Sequence, residues 1–137
     1  MHASHARQGI AAYRRSQRQS LTTPEAILLA LHEEIARELL AAKAAYQKKM
    51  LDRMCQHTQR VILILSKLKS VLNFEAAGKG GVALERYYTS ALVIVSRAQR
   101  DRDPAQTFDV LAKNFRTLCG EMRERLHMTE KRPRTLD

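Results

Sequence analysis

Apolar residues recur at steps of three and four in four stretches of this chain, the spacing that lines one face of an α-helix. The first stripe follows Pro24 and runs Ile27, Leu31, Ile35, Leu39, Ala42, Tyr46, with Leu28 at its edge. The second runs Leu51, Met54, Thr58, Val61, Leu65, Leu68, Leu72. The third carries Leu84, Tyr88, Ala91, Val95 and Ala98, flanked by Tyr87, and the fourth Phe108, Leu111, Phe115, Leu118, Met122 and Leu126. Thr23-Pro24-Glu25 predicts a sharp start for the first helix: threonine caps through its hydroxyl, and proline suits the first helical position because its missing N–H has no partner there. Asp103-Pro104 starts the fourth helix, with Gln106 placed for a capping box. Asn73 to Gly81 (NFEAAGKGG) holds three glycines and is expected to be a loop. Between the first two stripes no glycine or proline marks a break, so one helix of almost fifty residues, roughly 70 Å long, is an alternative. The stripe loses phase between Tyr46 and Leu51, which places a turn near Gln47–Met50. The fold class that follows is all-α, an antiparallel four-helix bundle over residues 23–127. A basic N-terminal arm (1–22) precedes it and a polar, frayed tail (128–137) follows.

The stripes differ in width. The fourth is one narrow seam. The second and third are apolar all round for a turn or more, at Val61-Ile62-Leu63-Ile64-Leu65 and Ala91-Leu92-Val93-Ile94-Val95. A helix in so small a bundle cannot bury every face. Either these segments pack on several sides, or they leave an apolar groove for a partner. The arm supplies something to cover such a groove. It is polar and basic in its middle, yet its tip carries Ile10, Ala11, Ala12 and Tyr13. Ile10 and Tyr13, with Ile62, Leu63, Ile64, Leu92, Val93 and Ile94, are therefore the candidate partner-binding residues.

The chain of 137 residues is 45% hydrophobic, enough for the core of one domain, and no apolar run approaches the length that spans a bilayer. No membrane insertion is expected. The N-terminus lacks the apolar region of a signal peptide, so the protein reads as cytoplasmic. Cys55 and Cys119 have no neighbouring ligand at metal spacing and read as free thiols. Lys79 lies between glycines, but the phosphate-binding pattern needs GxxxxGK before Ser or Thr, and here Gly80 follows the lysine. The five histidines are scattered, and His32 beside Glu33 and Glu34 is expected on a solvated polar face. No nucleophile–base set can be assembled, so no enzyme, cofactor or metal is expected. The net charge of +10 is concentrated in the arm and the second helix. It attracts nucleic acid, anionic lipid or an acidic partner without choosing among them. Aromatic residues are 5% of the chain and none stands among the second helix's cations to stack a base, which argues against specific nucleic-acid binding.

The order of these motifs resembles the flagellin export chaperones, the FliS family, over roughly Ile10 to Leu126. The resemblance rests on Ala12-Tyr13 before a polar arm, Thr23-Pro24-Glu25 leading to Leu29-Ala30-Leu31, Leu39–Ala42-Lys43, and Leu68…Leu72-Asn73-Phe74-Glu75 before a glycine loop. Leu84, Tyr88 and Val95…Ala98 follow, then an aspartate-bearing turn at Asp101–Asp103. It implies a bundle whose arm lies over a hydrophobic surface. It also implies a client, the C-terminal helical segment of flagellin, held unpolymerised until type III export, and contact with the flagellar export apparatus. The chain departs from the family's pattern in its basic charge, in Glu34 and Ser90, and in lacking a tryptophan near the end of the fourth helix. The alternative reading is a basic helical adaptor for nucleic acid or an acidic regulatory partner.

Overall fold

The computed structural model describes residues 24–76 and 78–131, so the arm with Ile10 and Tyr13, the expected cap Thr23 and the last residues of the tail lie outside it. Four helices follow one another: α1 Pro24–Gln47, α2 Leu51–Val71, α3 Gly78–Ala98 and α4 Pro104–Lys131. Each packs against the next, and α4 returns to α1, closing an up-down-up-down bundle in which α1 and α3 stand diagonally apart. Lys43–Asp109 and Glu33–Arg123 link α1 to α4 in antiparallel order.

The break between α1 and α2 falls where the stripe loses phase, and its chemistry shows why no glycine marks it. The amide of Met50 donates to the carbonyl of Ala45 at 2.8 Å and that of Lys49 to Tyr46 at 2.9 Å, the paired bonds of a Schellman cap. The left-handed position of that cap is Lys49, with φ 60°. A lysine occupies the place a glycine fills at least cost.

Two expectations about boundaries need correcting. The glycine segment is only partly loop: α3 begins at Gly78, and Gly80 and Gly81 lie in its first turn. The first amides of a helix have no intrahelical partner to lose, so glycine weakens this turn less than it would a helix interior. Gly78 itself has φ +69°, a conformation other residues rarely adopt. At the other end, α4 continues past Leu126 to Lys131.

The core lies where the stripes predicted it. Ile35, Leu39, Val61, Leu65, Tyr88, Val95, Phe108 and Phe115 are fully buried. Stripe ends are not: Ile27 and Leu51 are exposed, and Leu118 and Met122 are only half-buried. Buried alanines at 36, 42 and 45 on α1 and at 105 and 112 on α4 let these two helices approach closely along most of their length. Between α3 and α4 stand larger groups, Leu84, Tyr87, Phe115 and Leu118, and this pair approaches least closely. That wider seam opens an apolar groove.

Candidate functional site

The groove opens between the start of α3 and the last turns of α4, at the end of the bundle where α1 begins. Leu28, Leu84, Tyr87, Leu118 and Met122 give it an apolar floor around about 590 Å³, with Gly80, Gly81 and Ala83 along one wall and Glu121 and Arg125 at the mouth. Tyr87 packs on Phe115, ring centroids 5.2 Å apart. Its hydroxyl is buried without a hydrogen-bond partner among the described residues, and burial raises its pKa above the usual tyrosine value. The periodicity assigned Leu84, Leu118 and Met122 to the core stripes and noted Tyr87 and Leu28 only as flanks. A flanking position faces a neighbouring helix when that helix is close and solvent when it is not.

The residues proposed from the over-wide stripes divide by direction. Leu63 is 64% exposed, Val93 44% and Ile94 40%. Ile62, Ile64 and Leu92 are half-buried against the core. The cause is the 100° step between successive helical residues, which sends three consecutive side chains to three sides. Ile64 shares a face with His57, which meets Glu38 of α1, so it points to that helix. Leu92 shares a face with Gln99, which donates to the Thr58 hydroxyl of α2, and Ile62 follows Thr58 by four residues. Ile62 and Leu92 therefore both turn toward the α2–α3 seam. Ile94 shares a face with Tyr87 and points to α4. The six do not gather on one face: Leu63 of α2 and Val93 of α3 each point away from the core.

His32 overturns an expectation. It is not on a solvated face but fully buried, with Nε2 2.6 Å from the Tyr88 hydroxyl and its ring edge-on to Tyr88 and Phe115. Glu33 and Glu34 are charged neighbours in sequence, yet they sit about 100° and about 200° around the helix from it. Desolvation lowers the His32 pKa to about 4, so the imidazole is neutral at pH 7. Its Nδ1 has no hydrogen-bond partner among the described residues. The contact joins the diagonal helices α1 and α3, and burial raises the pKa of Tyr88, keeping its hydroxyl protonated.

The other polar contacts tie α1 to its two neighbours. Glu38 holds His57 Nδ1 at 2.6 Å and Arg60 at 3.4 Å. Asp109 accepts from Lys43 at 2.9 Å and pairs with Lys113 at 3.1 Å, and both hydrogen bonds pull its pKa down. Cys55 and Cys119 are free thiols, the latter buried with a raised pKa, chiefly from desolvation. Lys79 is exposed in the first turn of α3, with no strand before it among the described residues. None of the described residues forms a cluster able to hold a metal ion, and no helix among them is long and apolar enough to cross a membrane.

Comparison with known protein families matches residues 6–126 of the chain to the family described as "Flagellar protein FliS". A comparison with curated proteins finds no match.

Proposed function

Because the chain belongs to the flagellar protein FliS family, a family of flagellar export chaperones, we propose that its client is the C-terminal helical segment of flagellin and that the α3–α4 groove anchors it. The observation that carries this reading is the groove itself, apolar, open, and lined by Leu28, Leu84, Tyr87, Leu118 and Met122. An amphipathic client helix would seat side chains spaced i, i+3 or i+4 on Leu84, Leu118 and Met122. Apolar area buried at roughly 25 cal/mol per Å² supplies the driving force, less the cost of ordering the client. Leu63, Val93 and Ile94 offer further apolar contacts on the same bundle.

The arm is the proposed competitor. Ten residues separate Tyr13 from Pro24, an extended reach of roughly 33–36 Å, and the groove lies at the end of the bundle where Pro24 opens α1. Ile10 and Tyr13 would cover the groove in the free protein and leave when the client arrives.

Titration calorimetry of the full chain with a C-terminal flagellin peptide tests both parts. Binding with a large negative heat capacity change is expected, weakened tenfold or more by Met122→Asp. Tyr13→Ala is expected to tighten binding, since it removes a competitor. No heat at high micromolar peptide would reject the client, and unchanged affinity in Tyr13→Ala would reject the exchange alone.

A further inference from the structure

The apolar groove between α3 and α4 has unlike walls. Ala83 stands at its α3 rim, and the same residue borders a second hollow of about 570 Å³ on the outer side of α3, lined also by Lys79, Val82 and Arg86. Lys79, Ala83 and Arg86 fall at i, i+4 and i+7, so they form one edge of the helix, with a cation one turn to either side of the rim residue. Arg97 continues that edge three turns beyond Arg86. All three cations are exposed and make no ion pair among the described residues. One carboxylate, Glu75 in the turn before α3, lines the hollow against Lys79 and Arg86. Glu85 follows Leu92 around the helix at a spacing of seven and turns with it toward the α2–α3 seam.

The α4 wall carries no such row. Glu121 and Arg125 stand at the groove mouth with opposite signs. Thr117 and Asn114 precede Glu121 by four and seven residues on the same edge, exposed and uncharged. The other cations of α4 at this level face elsewhere. Lys113 pairs with Asp109, while Arg116 and Arg123 line a hollow toward α1 beside Glu33 and Arg37.

We infer that the groove selects a client helix with one acidic edge, and that this edge lies along α3. Its carboxylates meet Lys79 and Arg86, its apolar face sits on Leu84, Leu118 and Met122, and its uncharged edge follows α4. The inference rests on the reading that the groove anchors a helical client, and it adds the charge of that client. A helix turned end for end presents its other edge to α3, so the cationic rim also fixes the direction in which the client runs. Charge complementarity selects this occupant. A second copy would bring a chain at +10 to a cationic rim. The chain's own arm brings Arg14, Arg15 and Arg18 directly after Tyr13, so like charge loosens its hold and favours exchange. A nucleic acid would set phosphates against the apolar floor at the cost of their hydration.

The test uses the full-length chain and a synthetic helical peptide with leucines at i, i+4 and i+7 and glutamates along one edge, with binding read by fluorescence anisotropy. Lys79→Glu/Arg86→Glu is expected to weaken binding roughly tenfold to a hundredfold and to accept instead a lysine version of the peptide. Arg53→Glu/Lys67→Glu changes the net charge equally on α2, which does not border the groove, and should weaken binding less than about threefold as salt screens distant charges. Met122→Asp should weaken it roughly tenfold, as a carboxylate in the apolar floor would. Circular dichroism of both double variants should be unchanged, since all four side chains are exposed. Equal binding of a glutamine version, equal losses in the two double variants, or no loss in Met122→Asp would overturn the inference. So would no binding of the glutamate peptide at high micromolar concentration, or tighter binding of duplex DNA. A C-terminal flagellin peptide weakened by Met122→Asp but not by Lys79→Glu/Arg86→Glu would keep the groove as the client site and remove the acidic edge. Failure of the flagellin peptide beside success of the glutamate peptide would reject that client and keep this inference.

Discussion

Moving an imidazole from water into an apolar interior costs much less when it is neutral, and His32 shows the consequence at the scale of one residue. Its ordinary pKa of 6.5 falls to about 4 in the folded chain. Between those values the unfolded state binds more protons than the native state. The contribution of the neutral ring is therefore complete above pH 6.5 and is lost as pH falls from 6.5 toward 4, reaching about 3 kcal/mol. In His32→Gln, which keeps an amide to meet the Tyr88 hydroxyl, the fall in unfolding free energy from pH 7 to pH 4.5 should be shallower than in wild type. Urea melts at the two pH values measure it, and parallel slopes would show that His32 is not the group that titrates. The sequence context of two glutamates suggested water. Only the phase of the stripe, with His32 beside Leu31 and three residues before Ile35, carried the opposite signal.

At the scale of the helix, the 100° step decides what each position does. Leu63 and Ile64 are neighbours of similar hydrophobicity, one 64% exposed and the other packed against the core toward α1. Leu63→Asp is expected to leave the unfolding free energy within about 0.5 kcal/mol, whereas Ile64→Asp should cost about 2 kcal/mol or more by setting a carboxylate against apolar neighbours. Denaturant melts of the two variants separate these outcomes, and equal losses would place both in the core. The turn between α1 and α2 offers a second prediction. Lys49 holds a left-handed backbone at φ 60°, where a side chain is strained and glycine is not. Lys49→Gly should stabilise the chain by about 0.5–1 kcal/mol, offset in part by the greater freedom of glycine in the unfolded state. A fall in melting temperature would mean that the lysine side chain stabilises this turn.

Across the whole molecule the arrangement is asymmetric in packing and in charge. Small residues draw α1 and α4 together, while larger ones hold α3 from α4 and open the groove. The acidic residues of α1 take up cations from α2 and α4, while Lys67, Arg86 and Arg97 make no ion pair among the described residues. A chain at +10 repels itself, and salt screens that repulsion over roughly 10 Å at 0.1 M. The melting temperature of the free protein is expected to rise between 20 and 300 mM salt. A fall would show that the α1 ion pairs outweigh the self-repulsion.

The sequence by itself determined four helices, their order, most of the buried residues and the family. These depend on periodicity, on proline at two helix starts and on local motifs, all of which are properties of neighbouring residues. It also located the first turn through a phase slip, although the Schellman cap uses a lysine. Tertiary structure alone decided which half-buried flanks meet a helix and which meet space. Leu28, Leu84, Tyr87, Leu118 and Met122 form a groove because α3 and α4 stand apart, and that separation depends on side-chain volumes distant in sequence. It likewise turned Ile62, Leu63 and Ile64 in three directions and buried His32 against Tyr88. Periodicity gives the angle of a side chain around its own helix, and only the packed bundle determines what lies in that direction.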